Sequence, residues 1–299
     1  MTTFEQPDTS RRSLSFEFFP PQTTEATLRL WRSVERLAPL QPQFVSVTYG
    51  AGGTTRDRTK AAIRTIRDRA HLNVAGHLTC VGATREETLE VASEYSAIGV
   101  NRIVALRGDP PKGVDNFTPH PDGFSGSVEL VGALVERGYD VAVGAYPEPH
   151  PEARTADDDI NQLKAKVDAG ATSAITQFFF DTELFLRFRD RCVAAGIDVP
   201  IHPGILPVED FTRMKRFAGA CGTSVPTWMD DAFGRAENEA SATLLATAIA
   251  TDHCDILMRE GCDHLHFYTL NKPDLTYDIC RALGFATADL MMASGQGAA

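Results

Sequence analysis

Short apolar, β-rich runs alternate with helix-patterned stretches eight times along this chain, and that rhythm constrains its fold more than any other feature. The strand-like runs fall at 14–19, 44–50, 73–80, 102–109, 140–148, 173–180, 200–207 and 264–271. Helical spacing of apolar residues fills the intervals at 24–38, 56–69, 85–98, 126–137, 157–169, 182–195 and 209–220, with a last helix at 275–283. Strand-then-helix units favour a parallel sheet with helical crossovers, and eight of them close a barrel. The expected fold is therefore an α/β (β/α)8 TIM barrel. The interval before the eighth strand is too long for one crossover. It predicts an extra short helix around "VPTWMDDAFG" and then a long one beginning at "NEASATLL".

No interior linker divides the 299 residues, so one catalytic domain is expected over 13–286, with loose tails at 1–12 and 287–299. The segment "PPKGVDNFTPHPDGFSG" reads as a long loop after the fourth strand. A net charge of −11 argues against general affinity for nucleic acid or acidic membranes. No apolar run approaches the roughly 18 residues of a membrane span, and the twin arginine Arg11–Arg12 lacks an apolar stretch behind it. Six scattered cysteines without a CxxC pair suit a reducing compartment, so a cytoplasmic protein is expected.

Chemistry in such barrels sits at the C-terminal ends of the strands. Polar groups gather there: Thr48 and Tyr49, His77 and Thr79, Arg107 and Asp109, Tyr146 and Glu148, Gln177 and Asp181, Tyr268 and Asn271. One carboxylate, Glu17, lies inside the first strand, in "SFEFFPP", between Phe16 and Phe18. Burying an unpaired carboxylate costs several kcal/mol or drives its pKa upward, so the chain either pairs Glu17 or uses it. The loop "YGAGGTT" lacks the third glycine of a dinucleotide fingerprint and reads as a turn or small anion nest. His264 and His266 share a strand face, but no carboxylate or cysteine has matching spacing, so hydrogen bonding is expected of them and no metal site. Asp157, Asp158 and Asp159 open a helix, where they serve as caps or reach a ligand together with Lys166.

Nine segments in register, among them "SFEFFPP", "FVSVTYGAGG", "IVALRGDPP", "AYPEPHPEA", "ITQFFFD", "GILPV" and "HFYTLN", resemble the bacterial methylenetetrahydrofolate reductases over about residues 13–285. The resemblance implies the short form without a regulatory domain, noncovalent FAD, and ping-pong reduction of 5,10-methylenetetrahydrofolate through flavin N5, with NADH or NADPH as reductant. It implies a homo-oligomer, often a tetramer, in one-carbon metabolism and methionine supply. By the same resemblance Glu17 is the general acid that protonates N10, its pKa raised by burial among phenylalanines, and Asp109 lies between flavin and folate. Tyr49, Ala51, His77, Arg107, Gly108, Asp109, Tyr146, His150, Ala153, Asp159, Gln162 and Lys166 would line FAD, with Lys166 at the pyrophosphate. Thr48 would meet the nicotinamide cofactor, Gln177 both pterin and nicotinamide, and Phe217 a flat ring of either substrate. Arg213 and Lys272 would touch folate, where the family more often has glutamine and arginine, and Ala165 replaces a basic residue near the FAD phosphates. Other flavin-dependent barrels of the proline dehydrogenase kind, or a non-catalytic flavin or folate binder, are the competing classes; the joint presence of Glu17, Asp109 and Gln177 speaks against the last.

Overall fold

A computed structural model describes residues 12–50, 56–110, 117–153 and 155–287. Eight parallel strands close on themselves in chain order: β1 (Ser13–Phe18), β2 (Phe44–Val47), β3 (Val74–Thr79), β4 (Arg102–Leu106), β5 (Asp140–Ala145), β6 (Ser173–Phe178), β7 (Ile201–Ile205) and β8 (His264–Tyr268). β8 pairs with β1 in register, Ser13 opposite His264 and Glu17 opposite Tyr268. Closure leaves no unpaired sheet edge.

Outside the barrel run α1 (Thr24–Leu37), α2 (Arg56–Ala70), α3 (Arg85–Ala97), α4 (Ser127–Val135), α5 (Ala156–Asp168), α6 (Thr182–Ala194) and α7 (Phe211–Ala220). The long interval before β8 holds α8 (Thr227–Gly234) and α9 (Glu239–Arg259), and α10 (Pro273–Ala282) follows it. Both inserted helices were expected from the sequence. Local signals set the helix starts: Thr84 and Glu87 form a reciprocal capping box on α3, and Asp181, Asp210 and Asn238 cap α6, α7 and α9 with their side-chain oxygens. Asp210 explains why α7 starts at 211 and not at the expected 209.

The two-residue period of the strands sorts side chains into two separate cores. Leu14, Phe16 and Phe18 of β1 face outward and pack with Leu30, Val34 and Leu37 of α1 in the large layer between sheet and helices. Phe44, Ala75, Val104, Ala142 and Ile175 form a small apolar cluster apart from it, inside the barrel. Leu106 packs against this cluster, and beside it polar side chains occupy the interior. Ser13, Ser15 and Glu17 of β1 share it with His264 and His266 of β8 and His77 of β3.

The wall is regular except between β6 and β7, where the register shifts between Ile175 and Phe178. Pro203 of β7 has no N–H to donate, and β7 pairs with β8 beyond it, at Gly204 and Ile205. The amide of Gly204 donates to the Thr176 hydroxyl at 2.9 Å. A Cβ at Gly204 would lie 2.2 Å from the Thr176 carbonyl oxygen and 2.6 Å from the Tyr268 ring, so only glycine fits. The Tyr268 hydroxyl takes up that carbonyl at 2.7 Å. A bulge of this kind re-aims the side chains next to it, and Gln177 is one of them.

Candidate active site

The strands are shorter at their C-terminal ends than the sequence suggested: residues 48–50, 107–109, 146–148 and 269–271 have left the sheet. These are the polar rim positions. Specific side-chain partners hold their backbones beyond the last main-chain bonds, Thr48 N–H to the Phe18 carbonyl at 3.0 Å and Thr269 N–H to the Glu17 carbonyl at 3.3 Å. The Thr59 hydroxyl donates to the Thr48 carbonyl at 3.0 Å. Asn271 bridges to the end of β1 with both amide atoms, accepting from the Phe19 N–H at 2.9 Å and donating to its carbonyl at 3.0 Å. The Thr269 hydroxyl donates to the Glu17 carbonyl at 2.6 Å.

Glu17 lies below this rim, its side chain 12% exposed. Its Oε2 is 3.2 Å from His77 Nε2 and 3.6 Å from His266 Nε2. The phenylalanines of "SFEFFPP" do not surround it: Phe16 and Phe18 are on the opposite face of β1. That corrects the expectation of a carboxyl raised by apolar neighbours. Burial does push the Glu17 carboxyl up, but the facing imidazoles of His77 and His266 outweigh it and hold the group at about 2. The two imidazoles act on the carboxylate at close range, and neither buried Nε2 completes a hydrogen bond in this geometry.

After β4, Gly108 takes φ +87°, a conformation that L side chains rarely adopt, and a Cβ there would strike Val81 at 2.5 Å. This turn presents Asp109 to solvent. Burial pushes Tyr146 up to about 12, with the negative charge of Asp109 adding to it, and Cys221 is raised by the same pair of causes. Asp109 therefore stands among β5 and α7 residues at the mouth. Arg107 pairs with Glu152 and lies 4.7 Å from the Phe117 ring centre.

After β5, Tyr146 meets His150 edge-to-face at 4.8 Å. The amide of His150 donates to Asp159 at 2.8 Å, and Ala153 N–H to the His150 carbonyl at 2.8 Å. The three acids at the start of α5 thus divide their work. Asp158 completes a capping box with Thr155, Asp157 binds Arg191 at 2.7 Å, and Asp159 fixes the β5 loop. Gln162 is exposed on α5. Lys166 corrects another expectation. Its amine does not reach outward to a phosphate but donates to the Gly144 carbonyl at 2.6 Å, only 8% exposed, and burial lowers it to about 8 although Asp159 pulls the other way.

Across the mouth, Gln177 Oε1 accepts from the Phe178 N–H at 3.1 Å. Phe217 of α7 stacks on Phe178 at 5.4 Å and 21°, and is still 42% exposed, so one face of its ring is free for a flat ligand. Arg213 pairs with the α7 cap Asp210 at 3.3 Å, and Lys272, just before α10, lies 3.9 Å from Glu209. Tyr49 and Thr48 are half-buried at the end of β2. Ala51 lies outside the described residues. Among the described residues, no group of three or more His, Cys, Asp or Glu side chains could hold a metal ion. No helix among them is long and apolar enough to cross a membrane.

Sequence reasoning passed over Ser15, His202 and the joint action of His264 and His266. The signal was present as Ser-x-Ser-x-Glu on one strand and His-x-His on another, both with the period of an inward face.

A closed parallel barrel whose mouth gathers an acid, a turn-borne aspartate and an exposed aromatic plate has the layout of a (β/α)8 enzyme. The family profile of methylenetetrahydrofolate reductase matches residues 3–284. The chain is 51% identical over 274 residues to the 5,10-methylenetetrahydrofolate reductase of Salmonella typhimurium, covering 91% of this chain and 90% of that one. It is 50% identical over 274 residues to that of Escherichia coli, with the same coverage. A solved structure of a Clostridium thermocellum protein described as binding two copies of 5-methyl-5,6,7,8-tetrahydrofolic acid superimposes with a TM-score of 0.57 at 15% identity, over 91% of this chain and 95% of that one, which shows the shared fold. The chain is an oxidoreductase and belongs to the methylenetetrahydrofolate reductase family.

Proposed function

We infer that this chain reduces 5,10-methylenetetrahydrofolate to 5-methyltetrahydrofolate with noncovalent FAD in a ping-pong cycle, drawing on NADH or NADPH. The observation that carries this reading is Glu17. It is a carboxyl group inside the barrel, just below the mouth, set against two imidazoles with which it can exchange a proton. The mouth is also polar where a bound ligand would meet it. Thr79 at the end of β3 keeps a buried hydroxyl without a hydrogen-bond partner, as expected where a polar cofactor completes the wall.

Bound FAD would supply the relay of a hydride from the nicotinamide to the folate. The residues that would hold it are Tyr49, Ala51, His77, Arg107, Gly108, Asp109, Tyr146, His150, Ala153, Asp159 and Gln162. Lys166 would act from beneath, at the β5 wall. Thr48, Gln177 and Phe217 would receive the two substrates in turn, with Arg213 and Lys272 at the folate's outer end. Because the Glu17 carboxyl stays ionised above about 2, it would pass to N10 a proton received from a facing imidazole, so that the bridging C–N10 bond breaks and the carbon becomes electrophilic. Asp109 favours the cation so formed and disfavours negative charge on the reduced flavin. A homo-oligomer in the cytoplasm, serving methionine supply, completes the reading; the free cysteines of the described chain suit a reducing compartment.

Two half-reactions test it. The purified protein should be yellow, become bleached anaerobically by NADH or NADPH, and recover colour on addition of methylenetetrahydrofolate. In Glu17→Gln the first step should persist and the second slow by about 10²–10⁴-fold. Equal slowing of both would make Glu17 structural.

A further inference from the structure

Reduction of the methylene group by a nicotinamide consumes one proton per turnover, and the substrates that need it lie over the mouth. The barrel interior offers another way in. Ser13 Oγ is 2.7 Å from His264 Nδ1, and His264 Nε2 is 2.7 Å from Ser15 Oγ. Ser15 Oγ is 2.7 Å from His266 Nδ1, and His266 Nε2 is 3.6 Å from Glu17 Oε2. The last gap is longer than a hydrogen bond and leaves the buried His266 Nε2 without a partner, so transfer across it requires the carboxyl to turn toward the ring. Ser15 and His266 are wholly buried and His264 nearly so, while Ser13 at the N-terminal end of the barrel is half-buried. Four residue steps of strand span Ser13 to Glu17, about 13 Å.

We propose that this chain of alternating hydroxyls and imidazoles carries protons from the N-terminal end of the barrel to Glu17, reloading it while the mouth is covered. The inference rests on the reading of Glu17 as the acid.

Hydrogen-bond counting gives the chain a direction. Ser15 has one hydrogen and two imidazole partners, so it donates to one and accepts from the other. With both rings neutral, His264 and His266 must then share a tautomer. In the Nε2–H form every donor points toward Glu17. When Glu17 has given its proton to N10, its carboxylate takes the Nε2 proton of His266. His266 Nδ1 takes the Ser15 proton, Ser15 Oγ the Nε2 proton of His264, and His264 Nδ1 the Ser13 proton; Ser13 is refilled from water. One proton enters and one leaves; both rings end in the Nδ1–H form and must turn back before the next transfer.

The surroundings keep the middle of the chain neutral. His264 packs on His202 at 4.2 Å and on Phe44 at 5.7 Å, and Arg102 lies over the Phe44 ring at 4.6 Å. Burial, followed by the nearby His202, His266 and Arg102, lowers His264 to about 2. Burial, then His266 and Arg102, brings His202 to about 4. At the upper end, Glu17 faces His77 of β3 and both His266 and Tyr268 of β8.

Stopped-flow reoxidation of the reduced enzyme by methylenetetrahydrofolate tests this in Ser13→Ala, Ser15→Ala and His264→Phe. Each should slow that step about tenfold or more and change its solvent deuterium isotope effect and pH profile, with flavin reduction unaltered. Ser13→Thr, which keeps the hydroxyl, should restore the rate. In the protein without substrates, 15N shifts should show His264 and His266 in the same neutral tautomer. Opposite tautomers, a cationic His264, or wild-type reoxidation with an unchanged isotope effect in both Ser13→Ala and Ser15→Ala would overturn the proposal. If Glu17→Gln also reoxidised at the wild-type rate, the reading of Glu17 itself would fail, which separates the two failures.

Discussion

His77 on β3 and Glu17 on β1 approach to 3.2 Å although β2 lies between their strands. In a flat sheet two strands apart means nearly 10 Å. The curvature of the closed barrel turns both side chains into one space, and there the imidazole offsets the cost of burying the carboxylate.

That pairing predicts acid sensitivity. Glu17 titrates at about 2 in the folded chain against 4.5 for a free group. Between those values the unfolded chain binds the proton and the folded one does not, so stability present above pH 4.5 is lost as pH falls toward 2. The full span corresponds to about 3 kcal/mol. Thermal unfolding from pH 6 to pH 3 should show a shallower decline in Glu17→Gln than in the parent; parallel curves would mean that Glu17 is not held ionised.

Lys166 predicts a trend of the same sign at high pH. Its folded value of about 8 lies below the 10.5 of a free lysine. Between them the unfolded chain again holds the extra proton, so stability rises with pH across that window. The stability of the parent relative to Lys166→Met should therefore increase by about 3 kcal/mol between pH 8 and 10.5. A difference independent of pH, by denaturant unfolding, would place the amine in solvent.

Gly204→Ala should destabilise the fold by about 1–3 kcal/mol, because its Cβ meets backbone at 2.2 Å and not the end of a flexible chain. The displaced segment carries Thr176 and Gln177, so substrate KM should rise as well. An unchanged melting temperature would show that the β6–β7 bulge relaxes freely.

If Asp109 lies beside FAD as proposed, Asp109→Asn should raise the FAD midpoint potential, since a negative charge is removed. Reduction by the nicotinamide should then become easier and reoxidation by folate slower, so the half-reactions diverge. A spectroelectrochemical titration giving an unchanged or lower potential would show that this carboxylate does not tune the flavin.

Local pattern carried much of the architecture. The eight β-then-α units, the two helices before β8 and the caps at Thr84, Asp181 and Asn238 all depend on neighbours a few residues away, whose periodicity and hydrogen-bonding chemistry are written in order along the chain. The polar rim was legible for the same reason, because a parallel barrel puts every strand's C-terminal end on one side.

What surrounds a given side chain was not legible. "SFEFFPP" places Glu17 next to phenylalanines in sequence, yet the alternation of a strand sends those rings to the helices and the carboxylate to the interior. Its real neighbours, His77 and His266, come from strands 60 and 249 residues away. Lys166 likewise shares a helix face with acids on paper, but packing against β5 buries it. Sequence by itself determined the elements, their order and the face each residue occupies, because those follow from short-range sterics and periodicity. Only closure of the barrel decided which inward faces meet, and therefore the charge on Glu17 and the hydrogen-bonded path behind it, because burial and electrostatics act through distances in space.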